Sequence, residues 1–386
     1  MFGALIDCLT NGSVSDGELI WKINNSLVFK LLLLQTERWS PNRKTVQNKP
    51  MTLRCYYKFM LQERSNASNA IMKGRTLLQQ YVVMAFAREQ SQKLRWISNN
   101  QRTLRAESYQ TLQANVTPEN REGIGHGRQI ILPHSFHGSK RWYKRRNYEA
   151  MAIARAVGRP DLFITMTCNP KHPQILGALP AGMKAEDRPD LVARIFKQQV
   201  EEMKGLLIGG KVPTWEKAKG LIYVIEWQKR GLPHAHLLLI LDREFGIRED
   251  EISKYTRGEI PDNNIIREDV LGKMIHRPCG VRNPTATCCN NRFGRCSSYF
   301  PKAYSDQEYF DFEGRAVCRR RSPENGGNSA VTAVRNHVTT PVTNEWVVPY
   351  NPFLLQHFNS HINVEIVTSL QVIKYLLWYP FKVREL

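Results

Sequence analysis

The stretch Leu221-Ile222-Tyr223-Val224-Ile225-Glu226, continued through Gln228-Lys229-Arg230-Gly231-Leu232-Pro233 into His234-Ala235-His236-Leu237-Leu238-Leu239-Ile240-Leu241, decides how this chain is read. The first run is apolar and β-branched, the connector has turn composition, and the second run is apolar apart from two histidines. Together they read as a β-hairpin. Successive side chains on a strand point to opposite faces, so His234 and His236 share one face. With Glu226 closing the first strand, the hairpin is expected to present one carboxylate and two imidazoles. That mixed oxygen and nitrogen set suits a divalent ion with open coordination positions, which can polarise a phosphoryl oxygen. The same residues also read as hydrogen-bonded core histidines, and cupin-type or hydrolytic sites use similar sets, so a further element must choose the chemistry.

Working outward, Asp161-Leu162-Phe163-Ile164-Thr165-Met166-Thr167-Cys168 reads as a strand ended by Asn169-Pro170, and residues 188–207 read as an amphipathic helix with Pro189 near its start. Beyond the hairpin come a charged stretch over 242–269, a cysteine segment and a polar region to about residue 343. His361-Ile362-Asn363-Val364-Glu365-Ile366-Val367 predicts a last strand, and residues 369–379 a helix capped by Thr368 or Ser369. This order predicts an α+β fold with a mainly antiparallel central sheet flanked by helices. Residues 51–113 have few Gly or Pro and carry apolar spacing such as Leu77, Leu78, Tyr81, Val82, Ala85 and Phe86, which predicts a helical N-terminal region. Lys140-Arg141-Trp142-Tyr143-Lys144-Arg145-Arg146 reads as a very basic turn whose cations and aromatics suit single-stranded nucleic acid. The expected divisions are a divergent segment 1–50, a basic helical region 51–120, and a domain 121–386 with a cysteine-containing insertion at about 242–343.

With 55 Lys and Arg against 35 Asp and Glu, the net charge of +20 points to a polyanionic partner, and nucleic acid fits better than a membrane. The most apolar early run, residues 27–34, is short and contains Lys30, so no membrane span is expected. Cys279, Cys288, Cys289 and Cys296 cluster while the other cysteines are scattered, a pattern that favours reduced thiols or metal over a secreted disulfide framework. Cys279, Cys288 and Cys296, with His276 or Cys289 as the fourth ligand, form a candidate structural zinc site, although the spacing matches no standard paired knuckle. Gly205-Leu206-Leu207-Ile208-Gly209-Gly210-Lys211-Val212 approaches a phosphate loop, but Val212 replaces the hydroxyl that binds Mg, and a helix precedes it. No nucleotide cofactor or ATPase is expected.

The further element is Tyr375 and Tyr379, spaced i and i+4 on the closing helix and so on one face of it. Two phenols beside a divalent ion form a set able to attack a phosphodiester in succession. Phe163 to Thr167, Glu226 with His234-x-His236, and Tyr375-x-x-x-Tyr379 resemble the HUH endonuclease superfamily, specifically the Rep nuclease domain of Helitron rolling-circle transposases. Family-like stretches at 74–81, 94–105, 160–170, 187–191, 225–236, 278–280, 300–302, 347–354 and 361–365 extend the resemblance over about residues 51–382.

The resemblance implies an HUH-type nuclease fold with Mg or Mn held by His234 and His236, and with Glu226 as third ligand. It implies Tyr375 and Tyr379 as nucleophiles that nick and join single-stranded DNA through a 5′-phosphotyrosine, in DNA transposition and in the nucleus. Relatives continue into a helicase, so a separate helicase is an expected partner. Trp378 stands where relatives carry lysine, and Pro380 disfavours helix at Tyr379, which makes Tyr375 the expected first nucleophile. These departures also motivate the alternative of a catalytically inactive DNA-binding remnant. A cupin-like enzyme acting on small molecules would leave both the charge and the paired tyrosines unexplained.

Overall fold

The computed structural model describes residues 51–63, 69–104, 130–227, 231–277, 279–283, 285–289, 295–333 and 339–378, together with the two short strands 5–7 and 19–24. Ten strands are described: β1 (Leu5–Asp7), β2 (Leu19–Asn24), β3 (Leu162–Thr167), β4 (Ala218–Trp227), β5 (Pro233–Leu241), β6 (Tyr309–Phe310), β7 (Ala316–Val317), β8 (Ser329–Ala333), β9 (Thr339–Thr343) and β10 (His361–Ile366). The principal helices are α1 (Leu53–Met60), α2 (Thr76–Asn99), α3 (Lys140–Val157), α4 (Pro189–Ile208), α5 (Asn264–Lys273), α6 (Pro352–Phe358) and α7 (Gln371–Trp378).

The expected α+β class holds: four antiparallel strands in the order β4-β5-β3-β10 form the main part of the sheet, with β10 at its edge. On the outer side of β4, β2 adds a parallel strand, and β1 pairs with β2. β5 is buried along its whole length, which fits its near-continuous apolar sequence. Between β5 and β10 lies the insertion, in which β6–β7 and β8–β9 form two separate ribbons.

Alternation along the strands gives the sheet two different faces. One carries Leu162, Ile164, Leu221, Tyr223, Leu237, Leu239 and Val364 and packs against α4. Pro189 sits in the first turn of α4, where its missing amide costs nothing, and Val192, Phe196, Val200, Met203 and Leu207 recur at helical spacing to form the buried stripe. The other face carries Phe163, Ile222, Val224, Leu238 and Ile240, and it packs against Trp142, Ala150, Ile153 and Ala154 of α3 and Ile373 and Leu376 of α7.

Helix α3 corrects the reading of 140–146 as a turn. Lys140–Arg146 forms its first two turns, and the Ser139 hydroxyl caps them by accepting from the Trp142 amide at 3.1 Å. The dense charge hides a stripe of Trp142, Ala150, Ile153 and Ala154 that spaces as a helix buried on one side. The near-phosphate-loop sequence at 205–212 is the end of α4 and the turn after it, as expected. Among the described residues no helix is long and apolar enough to cross a membrane.

Candidate metal centre

The register of the sheet builds the site. In β4 and β5, Glu226 lies opposite His234 and Val224 opposite His236; on the other side of β5, Thr167 of β3 lies opposite His234 and Thr165 opposite His236. One further strand out, His361 and Asn363 of β10 stand beside Thr167 and Thr165. All of these side chains lie on the face covered by α3 and α7, because strand alternation repeats every second residue. The structure thus brings together the three sequence-predicted residues Glu226, His234 and His236, with one ligand atom from each within 4.8 Å of the others.

Both imidazoles are oriented from behind. His234 Nδ1 lies 2.8 Å from Thr167 Oγ1, and His236 Nδ1 lies 3.1 Å from Thr165 Oγ1. With Nδ1 engaged in each ring, Nε2 is the nitrogen that faces a ligand, and His236 Nε2 lies 3.3 Å from Glu226 Oε1. A hydrogen bond on the far nitrogen fixes ring orientation, as expected of a metal-ligating histidine, and a hydroxyl there can accept from Nδ1–H when Nε2 ligates. Both histidines are buried. Burial first, then the neighbouring His236 and His361, holds the His234 imidazole well below its ordinary range, so it is neutral at pH 7 and in the form that binds metal. Burial likewise lowers His361, against a hydrogen bond to the Lys273 carbonyl at 2.8 Å.

The threonines were not singled out as functional in the sequence. The pattern Phe163-x-Thr165-x-Thr167 carried their signal, but only the pairing register of β3 with β5 turns it into a statement about the histidines. Phe163 is a second such residue. Its ring stacks on His236 at 5.4 Å and 14°, and meets the Tyr375 ring edge-on at 6.3 Å and 71°.

Tyr375 lies in α7, 44% exposed, one aromatic ring removed from His236. Ile373 and Leu376 of the same helix anchor it in the core under the sheet. Helix α7 begins at Gln371, whose amide is accepted by the Ser369 hydroxyl at 3.2 Å, close to the expected start. Tyr379 lies outside the described residues. Basic helix α3 flanks the same face and exposes Lys140, Lys144, Arg145 and Tyr148, with Lys144 Nζ 5.9 Å from the Tyr148 ring centroid. Exposed cations interleaved with an aromatic ring suit a single strand, whose phosphates pair while its bases stack.

In the insertion, His276, Cys279, Cys288 and Cys296 come together as a second group with ligand atoms within 4.8 Å of one another. Cys289 stands outside that group; its sulfur accepts the Gly280 amide at 3.1 Å.

Residues 56–239 match the model of a family described as the Helitron helicase-like domain at N-terminus. That span includes most of α1, α2 to α4, β3, β4 and most of β5, and with them Thr165, Thr167, Glu226, His234 and His236. It ends before the cysteine group and Tyr375. No curated protein matches the chain at a significant level.

Proposed function

Residues 56–239 of this chain are a Helitron helicase-like N-terminal domain, which gives the protein a role related to Helitron transposases, and we propose that it is an HUH-type nuclease that nicks and joins single-stranded DNA. The observation that carries this reading is the shared face: Glu226, His234 and His236 converge at one end of it, and Tyr375 meets the same face through Phe163. A cofactor-free core explanation of the histidines leaves unexplained why a carboxylate and two buried imidazoles, each backed by a threonine hydroxyl, point at one spot.

The donor set fits a divalent ion. One carboxylate oxygen and two neutral imidazole nitrogens would hold Mg or Mn with positions left for phosphate oxygens, and the bound ion would draw charge from the scissile phosphate. The remaining work falls to the chain. Thr165 and Thr167 orient the imidazoles and accept from Nδ1–H when Nε2 ligates. The exposed cations of α3 pair with backbone phosphates on either side of the site, and Tyr148 offers a stacking surface. Tyr375 Oη attacks phosphorus; the new P–Oη bond forms as the bond to the 3′ oxygen breaks. The phenol gives up its proton, the departing 3′ oxygen takes one up, and the DNA 5′ phosphate is left on the tyrosine. Attack of a 3′ hydroxyl on that phosphotyrosine reverses the balance and joins strands, with no nucleotide cofactor. With DNA as substrate, the nucleus is the proposed site of action.

The test is incubation of the purified chain with labelled single-stranded DNA and Mn or Mg, followed by a denaturing gel and peptide mass spectrometry. A DNA-linked peptide containing Tyr375 or Tyr379 is the expected result. Binding without an adduct across varied sequences and both metals would overturn the nuclease reading and leave a DNA-binding remnant.

A further inference from the structure

The insertion between β5 and β10 has its own core, made of Ile260, Val270, Met274, Phe300, Val342, Trp346, Val347, Tyr350 and Leu355 together with Cys279, Cys289 and Cys296. Inside it, His276 Nε2 lies 3.6 Å from Cys288 Sγ and 3.5 Å from Cys296 Sγ, and Cys279 completes a set whose ligand atoms are all within 4.8 Å. A tetrahedral zinc ion with Zn–S of about 2.3 Å and Zn–N of about 2.0–2.1 Å requires sulfur and nitrogen to stand about 3.5 Å apart. The two His276 edges have that length.

The ring of His276 is clamped for the task. It stacks on Phe300 at 4.2 Å and 8° and lies parallel to Trp346 at 6.5 Å and 6°, while its amide donates to the Trp346 carbonyl at 2.8 Å. The set is also closed, with three sulfurs and one nitrogen and no carboxylate, which is the donor choice of structural zinc rather than of a hard ion. It is too tight for a two-iron cluster, whose thiolates attach to different metal atoms.

We propose that His276, Cys279, Cys288 and Cys296 bind one zinc ion that fixes the fold of the insertion. Cys289 is not a ligand; it receives the Gly280 amide, and Gly280 takes the positive φ of 62° that the turn after Cys279 requires. Binding replaces three thiol protons, which leave to solvent, and uses a neutral imidazole. The site braces the edge of the main sheet. The carbonyl of Lys273, three residues before His276, accepts from His361 Nδ1 at 2.8 Å, and His361 opens β10.

The test uses the full chain, purified under reducing conditions without chelator. Elemental analysis is expected to find one zinc per chain. It should be kept in Cys289→Ser and in His236→Ala and lost in Cys296→Ser. Cobalt substitution of the unaltered protein should give intense tetrahedral d–d bands and thiolate charge transfer, so the outcome does not depend on Cys296→Ser folding. Reduced protein without zinc, an octahedral cobalt spectrum, or zinc lost in Cys289→Ser and kept in Cys296→Ser would overturn the assignment. None of these readouts depends on DNA cleavage.

Discussion

Thr167→Val isolates the contribution of one hydroxyl to the proposed metal centre. Valine keeps the β-branched shape and the strand preference of threonine, so the pairing of β3 with β5 and β10 is preserved while Oγ1, 2.8 Å from His234 Nδ1, is lost. For Nε2 to ligate, Nδ1 carries the proton and donates it to that oxygen. His234 is only 6% exposed, so water is a poor substitute acceptor. Taking the acceptor from a buried donor costs about 1–3 kcal/mol, and loss of a partner behind a ligating histidine typically weakens metal binding about 10–100-fold, or about 1.4–2.7 kcal/mol. The two routes give the same scale. Titration of Mn into wild type and variant, by calorimetry or by loss of the free-ion paramagnetic signal, reads the change directly, with a thermal melt in the absence of metal to show that the variant is folded. Thr165→Val should lose less, because its contact to His236 is longer at 3.1 Å. A folded Thr167→Val protein that binds Mn as tightly as wild type would refute the role given to the hydroxyl.

Tyr375→Phe keeps the ring that meets Phe163 edge-on, so stability should change by less than about 0.5 kcal/mol while the covalent DNA adduct at this position disappears; an undiminished total adduct would transfer the first attack to Tyr379. Asp190 is fully buried and accepts from Arg188 Nε at 2.9 Å, Arg188 Nη2 at 2.8 Å and Arg194 Nη2 at 2.8 Å, so Asp190→Ala strands a buried guanidinium. The expected loss is about 3–5 kcal/mol in urea denaturation, toward the lower end because Glu63 still reaches Arg188, and a change under about 1 kcal/mol would contradict it. Burial raises the Asp161 carboxyl above its ordinary range, against the Leu241 amide that donates to it at 2.8 Å and the charges of Arg243 and Arg159. A raised folded-state pKa gives stability that is complete below the unfolded value and is lost as pH rises through the folded one. Asp161→Asn keeps an acceptor for the Leu241 amide without a charge to bury. It should therefore be more stable than wild type at pH 7, with the advantage vanishing below about pH 4, and a less stable variant at pH 7 would contradict the argument.

The hairpin was legible because its signals are local. Alternation fixes which face His234 and His236 share, and the Gly231-Leu232-Pro233 connector fixes that the strands return. The start of α4 was legible from Pro189, and β10 from its alternating apolar residues. What stayed hidden depends on pairing between distant residues. Nothing within Phe163–Thr167 says that Thr165 and Thr167 stand behind the two histidines, since that follows from the register of β3 on β5. Helix α3 was hidden for a different reason: all of its first seven residues are charged or aromatic, and its fully buried positions begin with Trp142 and resume only at Ala150. The choice between His276 and Cys289 in the proposed zinc site was likewise open in sequence, because it turns on the stacking of His276 with Phe300 and on the amide that Cys289 receives.

The sheet face itself explains how Tyr375, the proposed nucleophile, can be held firmly beside a polar centre. Its cross-strand rows run Ile222, Leu238, Phe163 and Glu365, then Val224, His236, Thr165 and Asn363, then Glu226, His234, Thr167 and His361. The inner positions change from apolar to polar over two rows, a distance of about 13 Å along the strands at most. Helices α3 and α7 cover the apolar part, where burial of Ile373 and Leu376 supplies the free energy that docks α7. Phe163 lies at the boundary, one flat side against His236 and an edge toward Tyr375. Hydrophobic burial thus fixes the helix that carries Tyr375, hydrogen bonds to the threonines fix the imidazoles, and a single ring keeps the two in register. A tyrosine set deeper would be held by the same core but closed to a DNA strand; at 44% exposure Tyr375 is anchored by its neighbours and still open to solvent.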